Sequence, residues 1–91
     1  MDAFPTKDPQ EKLDYQFDFS PWLGADTISG SPTVTVTGAT LSTPSPSSAA
    51  GIVTFWLTGG TAGTTAIVTC TVNTAAGRTI ERSASLYIDD L

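Results

Sequence analysis

Ninety-one residues make one domain with a single core, and nine acidic against four basic residues leave a net charge of −5. Four cations cannot form the stripe that neutralises nucleic-acid phosphates, and the same balance argues against an anionic membrane surface. Histidine is absent and cysteine occurs once, which removes the commonest general base, an internal disulfide and a cysteine-ligated metal site.

The composition favours threonine, serine, glycine and valine over lysine, glutamate and leucine, a bias toward strands rather than helices. Charge is unevenly placed. Asp2, Asp8, Glu11, Asp14, Asp18 and Asp26 face only Lys7 and Lys12 in the first 26 residues, and Thr27 to Gly77 carries no charge at all. An uncharged middle is either a hydroxyl-rich wet surface or a surface that other subunits cover.

Met1 to Glu11 holds Pro5 and Pro9 with no periodicity, and Phe4 is its one large apolar side chain. It reads as an extended arm, so the chain divides into an arm over 1–12 and one sandwich domain over 13–91. Such an arm is either a frayed terminus or a strap across a neighbour. Leu13, Tyr15, Phe17 and Phe19 then alternate with Asp14, Gln16 and Asp18, a strand with an aromatic inner face and an acidic outer one. Ser20-Pro21-Trp22-Leu23-Gly24 predicts a turn or a single helical turn, with Ser20 as the cap and Pro21 as the first helical residue.

Asp26 to Ser29 predicts a short edge strand, and Thr33 to Thr37 a second strand with Val34 and Val36 on one face. Thr43 to Gly51 is rich in serine and proline and predicts a mobile connection. Val53, Phe55 and Leu57 alternate with Thr54, Trp56 and Thr58. Beyond Gly59-Gly60-Thr61-Ala62-Gly63, Ala66, Val68, Cys70 and Val72 line one face of the next strand. Glycines in that loop suit a chain reversal, because positive φ costs them nothing sterically. After a turn at Thr74 to Gly77, Arg78 to Ile88 forms the last strand, with Ala84, Leu86 and Ile88 inward. Arg82 shares their parity, so either a bulge intervenes or Arg82 sits at the sheet's rim.

About seven short strands in this length describe an all-β fold, a small immunoglobulin-like β-sandwich with an extended N-terminal arm. A small closed barrel is the alternative. The sandwich would lack the usual cysteine pair, and the parity of Trp56 does not suit a central core tryptophan.

Chemistry-bearing patterns are scarce. Serines and threonines have no histidine or poised lysine to activate them, and the glycine-rich loop precedes no helix, so it is no phosphate cradle. Asp8, Glu11, Asp14 and Asp18 lack calcium-loop spacing and read as a solvated acidic face. Cys70, on an apolar strand face, reads as a buried structural thiol. Trp22 is either an exposed binding aromatic or a lid on the sandwich end. No enzyme activity, cofactor or small-molecule substrate is expected. No apolar run reaches transmembrane length, and the N-terminus lacks the basic-then-apolar layout of a signal peptide. Retention in a cytosol-like compartment until lysis is therefore expected.

Several motifs in order carry a resemblance. Lys7-Asp8-Pro9, Leu13-Asp14-Tyr15, Asp18-Phe19-Ser20-x-Trp22-Leu23 and Asp26-Thr27-Ile28 occupy the first half. Trp56-Leu57-x-Gly59-Gly60-Thr61-x-Gly63 and Thr74-x-x-Gly77-Arg78-Thr79-x-Glu81-Arg82-Ser83 occupy the second. Together they resemble a tailed-phage family of small virion structural proteins, the fibre-to-tail adaptor or neck-type proteins. Ala66 departs from that pattern, in which a tyrosine follows the glycine loop, so no tyrosine-corner-like hydrogen bond is expected there. The resemblance implies an immunoglobulin-like fold, no catalysis and several copies within a virion. Assembly would follow synthesis in the host cytoplasm. The expected partners are tail, neck or fibre subunits and further copies of the chain, with no nucleic acid or membrane. The residues expected at partner contacts are Phe4, Lys7, Asp8, Trp22, Leu23, Arg78 and Arg82. The alternative function is capsid decoration or a surface-binding module, with Trp22 and Trp56 as its available tryptophans.

Overall fold

Period-two alternation of apolar and hydroxyl side chains gives each strand one face to bury, and two such sheets cover one another. The computed structural model describes residues 2–91. Its elements are β1 (Asp2–Lys7), β2 (Leu13–Asp18), α1 (Ser20–Leu23), β3 (Ile28–Thr37), β4 (Thr40–Ala49), β5 (Ile52–Thr58), β6 (Thr64–Thr74) and β7 (Thr79–Ile88). One sheet has the order β1-β7-β6-β3 and the other β2-β5-β4. Strands 2, 5 and 4 against 3, 6 and 7 is the immunoglobulin arrangement, here with the first strand lying parallel beside the last.

The core follows the alternation. Tyr15 and Phe17 of β2, Val53, Phe55 and Leu57 of β5, Ala66, Val68, Cys70 and Val72 of β6, and Ile80, Ala84, Leu86 and Ile88 of β7 are all buried between the sheets. Phe55 stacks on Phe17 with ring centroids 5.6 Å apart and on Tyr15 at 6.0 Å. Offset aromatic pairs of this kind are each worth about 0.5–1.5 kcal/mol beyond their buried area. Burial pushes the Cys70 thiol up to about 11, so it is a structural thiol rather than a nucleophile. Trp56 points outward from the middle of its sheet, with the Lys12 ammonium 5.7 Å from its ring.

Several expectations are corrected. Residues 2–7 of the expected arm are β1, whose pairing runs from Asp2 opposite Ala84 to Lys7 opposite Ile88; Met1 lies outside the described residues. Phe4 draws the strand in, because its ring finds Tyr15 at 4.9 Å and Phe17 at 5.5 Å. Thr43 to Gly51 is no mobile link. Most of it lies in β4, which pairs with β5 over Thr40–Ser42 and again over Ser47–Ala49. The register breaks between those runs, where Pro44 and Pro46 lie, and an edge strand tolerates such missing donors. Asp26–Ser29 and Thr33–Thr37 are not two strands. Ile28 to Thr37 is one, irregular between Ser29 and Thr33 around Gly30 and Pro32.

The single helical turn begins at Ser20 rather than after it, with Phe19 in the cap position. Ser20 is capped in its turn, its N–H donating to Asp18 Oδ1 at 2.9 Å. The glycine loop makes no hairpin; it carries the chain from one sheet to the other, between β5 and β6. No bulge separates β7 from β6, whose register is unbroken from Thr64–Ile88 to Asn73–Thr79. Arg82 therefore does sit at a rim.

Candidate partner-contact surface

The sandwich has two unlike ends. At one, the β1–β2 link, the glycine loop and residues 89–91 converge. Lys7 is fully buried there, its Nζ donating to the carbonyls of Asp8 and Gly59 at 2.8 Å each. Removal from water lowers the Lys7 pKa, an effect only partly offset by Glu11 and Asp8. Asp8 Oδ1 accepts from Gln10 N at 2.8 Å, and Oδ2 accepts from Leu91 N at 2.9 Å. Those amide bonds, from Leu91 first and then Gln10, hold its carboxyl below the usual range. Gly60 has φ +100°, and a Cβ there would lie 2.0 Å from Ile88 Cδ1 and 3.3 Å from Gly38 O. This end is packed shut.

The other end is built from α1, the β4–β5 turn and the β6–β7 turn. Phe19 N donates to Gly51 O at 2.9 Å, and Ala75 N to Thr27 O at 2.9 Å, which ties the three loops together. Asp26 is the knot. Its Oδ1 accepts from Thr27 N at 2.9 Å and Ala76 N at 3.1 Å, and Arg78 Nε lies 3.8 Å from Oδ2. The Thr74 hydroxyl, then those amides and Arg78, hold the Asp26 carboxyl below the usual range.

Above this knot stands Trp22. It is 47% exposed, a large fraction for a tryptophan in a small domain. Arg78 Nη1 donates to Trp22 O at 3.2 Å, and the Arg82 guanidinium lies over the Trp22 ring at 4.1 Å. A guanidinium stacked on an aromatic keeps its in-plane donors free for a planar acceptor while losing little freedom on binding. Of those donors one is spent, from Nη1 to Glu81 O at 2.7 Å. Under the pair runs a slot of about 170 Å³ lined by Phe4, Gln16, Phe17, Asp18, Trp22, Arg82 and Ala84. A larger hollow of about 300 Å³ lies beside α1, between Leu23, Asp26, Ile28 and Gly51.

The seven residues expected at partner contacts thus separate. Trp22, Arg78 and Arg82 are brought together on the open end. Lys7 and Leu23 are buried, and Phe4 is half-buried against the aromatic core while also lining the slot. Asp8 is tied to its own backbone neighbours at the shut end. Asp26 was missed as a site residue. Its signal was local: an aspartate followed by a threonine whose amide it can accept, just past a helix stop at Gly24.

Among the described residues no group of His, Cys, Asp and Glu side chains is placed to hold a metal ion. The chain is a small two-sheet β-sandwich in which the Arg82 guanidinium stacks on Trp22 at one loop end. The chain belongs to the family described as podophage GP4 fiber-tail adaptor protein gp77, whose model matches residues 7–87. The resemblance drawn from the motifs therefore holds, on its fibre-to-tail side. A comparison with curated proteins gave no match.

Proposed function

We propose that the chain is a non-enzymatic structural adaptor of the phage virion, one of several copies that link tail or neck to fibres. The carrying observation is the division between a shut end, where Lys7 and Gly60 lock the chain, and an open end that presents Trp22, Arg78 and Arg82. Exposed aromatic and arginine side chains on a rigid support are the groups that most often anchor protein interfaces. The N-terminal segment takes part through the outer edge of β1, which has no strand beside it among the described residues, rather than as a loose strap.

The partners are tail, neck or fibre subunits and other copies. Nucleic acid and membrane are disfavoured by the charge of −5. Synthesis takes place in the host cytoplasm, and the mature location is the virion. Imaging the intact phage by electron cryomicroscopy tests this reading. The chain is expected where fibre meets tail, with Trp22 and Arg82 against a neighbour. Density spread over the capsid lattice would make it a decoration protein and overturn the adaptor role.

A further inference from the structure

We infer that copies of this chain join head to tail, with residues Asp89–Leu91 of one copy seated in the slot beneath Trp22 and Arg82 of the next. This rests on the reading that several copies assemble together. It adds which surfaces meet.

The slot asks for an apolar side chain with acceptors beside it. Its walls are Phe4, Phe17, Trp22 and Ala84, and its mouth is the Arg82 guanidinium. Among the described residues Arg82 has no carboxylate within ion-pair distance, whereas Arg78 has Asp26. Asp18 also lines the slot, with its Oδ1 accepting from the Ser20 amide at 2.9 Å. The first described residue of β1, Asp2, pairs with Ala84. Beyond it, toward Arg82, the edge of β7 has no strand beside it among the described residues.

The matching knob lies on the same molecule. Leu91 is 78% exposed, the most exposed large apolar side chain among the described residues, and Asp89 and Asp90 precede it. Asp89 N donates to Lys7 O at 3.0 Å and Leu91 N to Asp8 Oδ2 at 2.9 Å, so the segment is anchored and presented at the shut end. It cannot reach its own slot, because β7 alone spans roughly 20 Å between Arg82 and Ile88. Knob and hole therefore point to different neighbours. A contact of that kind is heterologous, and repetition gives either a closed ring or a column. Each contact is small, so it operates where neighbours are already held close.

Sedimentation velocity of the purified full chain over rising concentration, in low and physiological salt, tests the contact. Association that grows with concentration and weakens with salt is expected. Arg82→Glu should weaken it about fivefold, the size of an exposed charge pair. Leu91→Ala, at an exposed site that leaves the core untouched, should weaken it comparably. Mixing an Arg82→Glu copy with an Asp89→Arg/Asp90→Arg copy should restore association between the two. A chain that stays monomeric at every concentration, or one whose association ignores both Arg82→Glu and Leu91→Ala, overturns the proposal. Tail-bound density in the virion alongside that failure would leave the adaptor role standing. Capsid-lattice density alongside salt-sensitive, Arg82-dependent association would do the reverse and leave this contact supported.

Discussion

The two ends of the sandwich use similar loop material for opposite purposes. At the Lys7 end the ammonium is buried against two carbonyls, and Gly60 leaves no room for a methyl group. At the Trp22 end Asp26 ties the loops from beneath while the aromatic ring and both arginine heads stay at the surface. In immunoglobulin sandwiches the corresponding end carries the variable binding loops, although shared architecture alone assigns no function. The lesson is a division of labour. One end holds the fold closed, and the other holds groups rigid without covering them.

Glycine substitutions should break the comparison most sharply. Gly60→Ala forces a strained φ and a clash with buried Ile88, and should cost about 3 kcal/mol or more. Gly77→Ala at the open end, with φ +91° and nothing within 4 Å, meets only the backbone strain and should cost about 1 kcal/mol. Chemical denaturation of both variants checks this. Equal losses would mean that the ends are equally packed.

Lys7 comes next. Lys7→Ala strips two part-buried carbonyls of their donor and opens a cavity, for a loss of about 2–3 kcal/mol. Lys7→Met keeps the stem and should recover about half of that. If Lys7→Met proves as stable as the parent chain, the ammonium contributes nothing and only its methylenes matter.

Acid titration sharpens the comparison further. Asp8 at the shut end and Asp26 at the open end both have carboxyls lowered by the fold. A carboxyl depressed in the folded state adds stability above its unfolded value of 3.8, and that stability is lost as pH falls through the lower folded value. Unfolding midpoints should therefore fall as pH drops below about 4. Asp26→Asn should flatten that limb more than Asp8→Asn, since Asp26 ties the α1–β3 link to the β6–β7 turn. An unchanged slope in Asp26→Asn would remove it from that role.

The smallest effect on stability belongs to Trp22→Ala, expected within about 0.5 kcal/mol of the parent chain. Its effect should instead appear as lost incorporation into particles. A large thermal destabilisation would make Trp22 a lid on the core rather than a contact.

Much of the fold was legible because strand alternation is a local property. Tyr15 and Phe17, Val53 to Leu57, and Ala66 to Val72 announce an inner face with no knowledge of what covers it. For Arg82 parity left a bulge or a rim position open, and only the unbroken β6–β7 register removed the bulge. The candidate site was legible only in part. Residue type pointed to Trp22, Arg78 and Arg82, but also to Lys7 and Leu23, which the fold encloses.

The all-β class, the inward faces of the strands, the β6–β7 turn and the buried thiol follow from neighbours a few residues apart and are written locally in the chain. Tertiary structure alone decided that residues 2–7 join the edge beside β7, that a proline-rich stretch becomes an edge strand, and which cation is buried. Those outcomes depend on partners far along the chain. Phe4 finds Phe55, and Lys7 finds the Gly59 carbonyl, only once both sheets exist. A lysine in a charged N-terminal stretch carries no local sign that a distant loop will close over it.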